Sequence, residues 1–595
     1  MQVELVKRHE AKLTIVCMAL LALAAGYLLL TRPTHRVEGD FLEREDRRIV
    51  DEWLLSQLEV TIAEQRARAY LALGRIGDPA TLPHLLDALN DHAPSVRAAA
   101  AFAIGVMEDA EALAGVGRQP HREAADALLP LLEDDERAVV ANAVEALGRL
   151  GFADLAERLT QTAAPHPVTL TALVRLRAVE LTPWIQERLK SDDQDNRWAA
   201  ALALNALTSA VDDGISRSFL NLTKDREVLV RLEAVTGLGR ASPSAEVVET
   251  LVRMSSDPDA KVRMAALGSL GALGHPGTLE VLVESLRDRN ENVIAASIRA
   301  MAKLGDRRAT QILEPLRFRA SIVSYEAEAA LAALAGDEAG WMEGLSPLPQ
   351  SYRSPQGVQA VAAALSLSRA PQALDLLRTM WNDSTPEIRA ARPAILRALK
   401  ERGAPDLDEY LTAALASSDA ALRSAALDRE GGGANADPAE TRRESQDYQR
   451  IARTLGHRVR LETSAGIMEI ALDYRNAALT AENFVELVAA GRLDGQRFLE
   501  VTPGRDFTFE PSAGEAAAGP ERVWLPEING QPFLRGSIGL DGVKGDSVGS
   551  RFFVCLTPLP LAGGRHTNFG RLVSGDDLLD AITVETRILK ATLVE

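Results

Sequence analysis

At 595 residues, 46% hydrophobic, 25% charged and only 4% aromatic, the chain is too long for one core and too poor in large rings for stacked sheets, so several domains or an array of close-packed helices are expected. The formal net charge of -18, with no basic run, argues against a nucleic-acid partner, because phosphate contact needs clustered Lys and Arg. Cys17 and Cys555 stand alone in unrelated contexts, which excludes a disulfide framework and a Cys-based zinc site; no metal and no cofactor is expected.

The first element follows MQVELVKRHEAK: residues 13–30, LTIVCMALLALAAGYLLL, are an uncharged run of 18. At about 1.5 Å per residue this spans about 27 Å, enough for a bilayer core, and residues 1–31 are assigned as a membrane anchor. A cleaved signal peptide ending at Ala22-Leu23-Ala24 is the rival, but apolar residues continue through Leu30. Lys7, Arg8 and Lys12 are nearly matched by Arg32, Arg36 and Arg44, so positive-inside counting leaves the orientation open. The short tail before the span and the large body after it favour a single-pass membrane protein with its bulk periplasmic or otherwise extracytoplasmic, open to membership of a larger membrane complex.

From about 45 to 430 the chain repeats itself. VRLEAVTGLG, VRMAALGSLGALG, VIAASIRAMAKLG and VSYEAEAALAALAG begin at Val230, Val262, Val293 and Val323, and such a period marks a solenoid. Within one unit Val262, Ala265, Ala266, Leu270 and Leu273 share a helical face, Gly274-His275-Pro276-Gly277 ends the helix, and a second helix follows. The pattern, with DPDAKVR at 257–263, resembles HEAT-like repeats, which implies an all-α solenoid that binds proteins or peptides. Arg97, Arg231 and Arg263, each after a Val, are expected to pair with acidic loop residues of the adjacent unit, such as Asp257 or Asp259.

DREGGGANADPAETRRESQ, at 428–446, lacks apolar period, and residues 431–455 are assigned as a flexible linker. Beyond it, HRVRLETSAGIMEIALD alternates like two strands, a helix with Thr480 at its N-cap ends near Gly491, and strands return in RFFVCLT and HTNFGRLV. TSAGIMEIAL, ENFVELVAAGRLDGQRF, RGSIGL, SVGSRFFVCL and HTNFGRLVSGDDLLDAI, in that order over 456–595, resemble the successive motifs of a cyclophilin-type peptidyl-prolyl isomerase. The resemblance implies a mainly-β, eight-stranded barrel capped by two helices, with a proline pocket on one outer face.

It also implies where activity should sit, and those positions are rewritten. The family's Phe-His-Arg-Val is Phe498-Leu499-Glu500-Val501, so a carboxylate replaces the arginine that hydrogen-bonds near the prolyl amide. Gly-Phe-Met-x-Gln becomes Gly504-Arg505-Asp506-Phe507-Thr508, and Ser-Gln-Phe-Phe becomes Ser550-Arg551-Phe552-Phe553. Glu500, Thr508 and Arg551 are therefore degenerate catalytic positions, while Phe553, His566, Leu540 and Leu561 are the substrate-binding candidates; Arg551 or Arg505 reaching into the vacated place would rescue the site. The expectation is a membrane-anchored scaffold whose solenoid and degenerate cyclophilin-like domain bind protein partners or proline-containing polypeptides, the alternative being an active isomerase.

Overall fold

The computed structural model describes residues 35–109, 117–162, 166–318, 322–335, 355–367, 372–415, 417, 422, 425–426, 443–502, 505–509, 526–540, 551–583 and 585–594. The apolar run at 13–30 lies outside them. Among the described residues no helix is long and apolar enough to cross a membrane; the longest, Pro386–Glu401, has 16 residues and carries several charges. The single-pass membrane placement, and the extracytoplasmic body inferred from it, are corrected accordingly.

Helices do alternate in pairs through the repeat region. Long helices, among them Ala63–Ile76, Pro94–Met107, Arg137–Leu150, His166–Arg175, Gln194–Leu207, Val228–Leu238, Ala260–Leu273 and Glu291–Leu304, form one row in which each packs on the next. Shorter helices such as Leu82–Ala88, Ala245–Met254 and Leu279–Ser285 form the other layer. Small residues set the spacing of the row: a Cβ on Gly105 would stand 2.7 Å from Ala146 Cα, and one on Gly271 2.7 Å from Ala300 Cα, so neighbouring helices touch backbone to backbone.

Arginines near the helix starts tie each unit to the next. Arg231 Nε donates to Asp257 Oδ2 at 2.9 Å while its Nη1 donates to the carbonyls of Asp225 and Arg226, both at 2.9 Å. Arg97 takes Asp134 and Arg263 takes Asp288 in the same way, as do Arg66 with Asp91 and Arg197 with Asp225. The acceptor is always in the following unit's turn, where it also caps a backbone N–H, as Asp257 does for Asp259. Planar guanidinium geometry suits this double duty, and each charged bond contributes on the order of 1.5–3 kcal/mol when shielded.

The C-terminal domain is an eight-stranded antiparallel sheet of order β3-β4-β6-β5-β7-β2-β1-β8. The strands are β1 (Arg458–Thr463), β2 (Gly466–Leu472), β3 (Phe498–Thr502), β4 (Asp506–Phe509), β5 (Ser537–Leu540), β6 (Phe552–Cys555), β7 (Thr567–Ser574) and β8 (Ile588–Val594). Its two edges meet where Gly495 N–H donates to the Ile588 carbonyl at 2.7 Å and Ile588 N–H to that of Gln496 at 2.8 Å, which curls the sheet shut. The helix Ala478–Ala489 plugs it with Phe484, whose ring lies 5.0 Å from Phe552 and 5.4 Å from Phe569. Thr480, expected at the N-cap, sits inside this helix; the buried carboxylate of Glu527 caps it instead, accepting from Leu479 and Thr480 N–H at 3.1 and 2.6 Å.

Array and sheet are held as one body. In the first described helix, His35–Arg47, Phe41 enters the core of the array and its neighbour Leu42 the core of the C-terminal domain. Part of the stretch expected to be a tether is ordered as the helix Ser445–Arg453, which lies on that first helix, Tyr448 Oη donating to Asp46 at 2.7 Å. Farther along, Arg75 donates from Nε to the Ile528 carbonyl at 2.9 Å and from Nη2 to that of Asn476 at 2.7 Å. Lys261 pairs with Asp580 at 3.1 Å, and Asn292 Nδ2 donates to the Ile582 carbonyl at 2.9 Å. Contacts from helices as far apart as 63–76 and 291–304 reach one small domain, so the row bends round it.

Candidate functional site

Strand register lines up the positions that matter. Glu500 on β3 is opposite Thr508 on β4, Thr508 opposite Phe553 on β6, and Phe553 opposite Gly539 on β5. Period-two alternation sends the neighbouring Phe507, Phe509 and Phe552 into the barrel interior, all 0 or 1% exposed, and leaves Thr508 and Phe553 on the outer face. Leu540, expected at the pocket, pairs with Phe552 and lies in the interior cluster with it; on β5 it is Gly539 that stands opposite Phe553. Arg551 immediately precedes β6, two residues from Phe553 and half-buried.

The outer face is filled rather than open. Phe533, from the segment leading into β5, lies on Phe553 at 5.3 Å and 25° between ring planes, and His566 meets Phe553 edge-on at 5.5 Å. A Cβ at Gly539 would collide with the Phe553 ring and stand 2.7 Å from Phe533 Cε1, so the missing side chain is what admits both rings. Phe553 and His566 are each 5% exposed and Phe533 2%, with Cys555 closing the cluster from behind. Burial pushes the Cys555 thiol well above the usual range and keeps it inert. Thr508 Oγ1 is shielded and has no hydrogen-bond partner among the described residues, so an uncharged hydroxyl stands beside Phe553. Arg505, on the β3–β4 turn, pairs with Asp506 at 3.3 Å and lines a cavity shared with the array.

The rim beside this cluster is clamped by the repeat array. The turn Pro560–Ala562 carries Leu561, whose carbonyl accepts from Arg175 Nη2 at 3.3 Å; the same nitrogen donates to the Gly563 carbonyl at 2.9 Å. Gly564 follows at φ 71°, with Arg149 so close that any Cβ there would collide with its guanidinium. Arg149 also pairs with Glu145 and lies 5.1 Å over the Phe102 ring, while Arg565 faces Asp109 at 3.8 Å. Burial first, then repulsion from Arg149 and Arg565, pulls the Arg175 pKa down to about 9. Burial raises the Glu145 carboxyl, but Arg149 and Arg175 outweigh it and hold it below its ordinary value.

The structure places Phe553 and His566 in contact, with Leu561 on the adjoining rim, and adds Phe533, Gly539, Arg149 and Arg175, which the sequence does not single out. A signal existed for one of these: Arg149 lies in LGRLG as Arg75 lies in LGRIG, at the end of a long helix where other units carry Ala272 or Lys303. Phe533 sits in EINGQPFLRG, which has no period to announce a buried ring. Among the described residues no group of three or more His, Cys, Asp and Glu is placed to hold a metal.

Comparison with known proteins agrees with both halves of this architecture. The family model described as cyclophilin type peptidyl-prolyl cis-trans isomerase/CLD matches residues 458–592. HEAT repeats match 52–116, 216–296 and 255–335, and a HEAT-like repeat matches 94–150. A peptidyl-prolyl cis-trans isomerase of Helicobacter pylori strain J99 is 32% identical over 120 residues, 20% of this chain and 74% of that protein. One from Synechococcus elongatus is 33% identical over 118 residues, covering 20% and 81%. Human peptidyl-prolyl cis-trans isomerase-like 1 is 32% identical over 138 residues, covering 22% and 81%.

Proposed function

We propose, because this chain belongs to the cyclophilin family through residues 458–592 and carries HEAT repeats ahead of that domain, that it is a protein-interaction scaffold whose isomerase-like domain has exchanged turnover for a fixed seat on the array. One observation carries this: Phe533 lies against the ring of Phe553, the residue that the cyclophilin resemblance gives as the floor of the proline pocket, and both rings are buried. Isomerisation of an X-Pro bond needs a donor held against the amide in a dry, open pocket. Here Glu500 and Thr508 stand in the row with Phe553, and the rim is bound to Arg175.

The second reading is an active isomerase. It is favoured by the retention of Phe553 and His566 in contact, and by identity above 30% to relatives named as isomerases. Uncatalysed exchange takes about 10–100 s at 25 °C, so catalysis is easily seen. Exchange NMR on an Ala-Pro peptide with the full chain separates the two. The scaffold reading expects no acceleration; clear turnover that Phe553→Ala abolishes overturns it.

A further inference from the structure

Between the array and Arg505, which immediately precedes β4, lies a cavity of about 350 Å³, floored by the helices 228–238, 260–273 and 291–304. Ala265, Gly268 and Ala300 keep the floor low, and a Cβ at Gly268 would meet nothing within 4 Å. The walls are cationic: Lys261, Arg299 and Lys303 from the array, and Arg505 from across the domain boundary. In a chain of net charge -18 the lining itself carries four basic side chains and one acidic one, Glu233.

Glu233 is the carboxylate that lines the cavity, and burial pushes its pKa up to about 7, so near neutrality it cancels only part of that charge. Lys261 pairs with Asp259 and Asp580, Arg299 with Glu326, and Arg505 with Asp506, none of these carboxylates being in the lining. Lys303 is exposed and has no ion-pair partner among the described residues. It stands two residues before the helix-ending Gly305, as Arg75 does before Gly77 and Arg149 before Gly151, and both of those arginines are spent on the C-terminal domain. Lys303 is the member of that set whose charge is left facing the cleft.

We propose that this cleft takes an acidic, extended segment of a partner protein, its carboxylates meeting Lys303, Arg299 and Arg505 and its backbone lying over Gly268. The inference rests on the scaffold reading and names the chemistry of the partner. Helix axes about 8–10 Å apart make a three-helix floor about 20 Å wide, the reach of about six extended residues. Charge complementarity of this kind acts chiefly on encounter and choice of partner.

The test uses the full chain and a fluorescein-labelled peptide of four Glu-Gly repeats, with four Lys-Gly repeats as the counterpart, followed by anisotropy. The glutamate peptide binds saturably and the lysine peptide does not. Lys303→Glu weakens binding at least tenfold; Gly268→Leu, which raises helix propensity while filling the floor, does the same. Equal affinity for the two peptides, or affinities within twofold of wild type in both variants, overturns the proposal. Exchange NMR on the same preparations keeps the two levels apart: absence of the glutamate preference without prolyl turnover sinks this inference alone, whereas turnover sinks the scaffold reading.

Discussion

Phe533 lies flat against Phe553, centroids 5.3 Å apart, in space that Gly539 leaves free. Truncating the upper ring should uncover the lower one. Phe533→Ala is expected to cost the C-terminal domain about 3–5 kcal/mol, the usual loss for a buried ring. An Ala-Pro peptide should then shift the Phe553 resonances saturably in the variant and not in the wild type. Equal binding by both would mean that Phe533 does not close the site.

The clamp at the rim makes a different demand. Arg175 donates to the Leu561 and Gly563 carbonyls, and Arg175→Ala removes both bonds together with a shielded charge. About 1.5–3 kcal/mol should be lost, felt locally. The amide of His566, bonded to the Ala562 carbonyl at 3.1 Å, should exchange at least tenfold faster in hydrogen-exchange mass spectrometry while β1 and β2 stay protected. Arg175→Lys should rescue only part, because the lysine ammonium ends one bond short of the Nη2 that meets both carbonyls.

Acid should attack the joint between the halves through Glu45. Burial raises this carboxyl, but Arg68 and Arg75 outweigh burial and hold it below its ordinary 4.5. A depressed pKa stabilises the fold fully above about 4.5, and the contribution is lost as pH falls through the folded value. Glu45→Gln leaves the buried Arg75 guanidinium without its anion and Arg68 with Glu38 alone, and should cost about 3–5 kcal/mol at pH 7. In urea titrations the gap between wild type and variant should narrow steadily below pH 4.5; a constant gap down to pH 3 would remove Glu45 from the acid response.

Glu233 gives the opposite slope. Its pKa is raised to about 7 by burial, even though Asn205 Nδ2 donates to Oε2 at 2.7 Å. The folded protein holds a proton that the unfolded chain has released, so this group lowers stability as pH rises from about 4.5 to about 7. Glu233→Gln keeps the acceptor for Asn205 and cannot ionise. Its advantage should grow from none at pH 4.5 to about 1–2 kcal/mol at pH 8, discounted for partial exposure. A flat difference across thermal melts at pH 4.5, 6, 7 and 8 would refute the shift.

The array was legible because its rules are local. Val262, Ala265, Leu270 and Gly274 state a helix and its end within one unit, and Arg231 finds Asp257 only 26 residues on. The strands declared themselves by alternation, and the family motifs fixed their order. What stayed hidden depends on residues far apart in the chain: Arg175 against Gly563, 388 residues away, and Arg75 against Ile528, 453 away. No periodicity encodes such a meeting. A motif names positions without telling which face of β5 each one takes; register with Phe552 puts Leu540 in the interior cluster. Thr480 reads as a cap in the sequence because Glu527, which takes that role, approaches from a segment that no short motif links to that helix.

Phe41 and Leu42 have a consequence for how the molecule is made. One turn of helix near the start must wait for Tyr448, 402 positions later than its partner Asp46, before it can lodge on both sides. At about 5–20 residues per second, translation leaves that apolar turn half-clothed for roughly 20–80 s. Until the last quarter of the message is read Leu42 has no core to enter, and a truncated product would leave it uncovered for good.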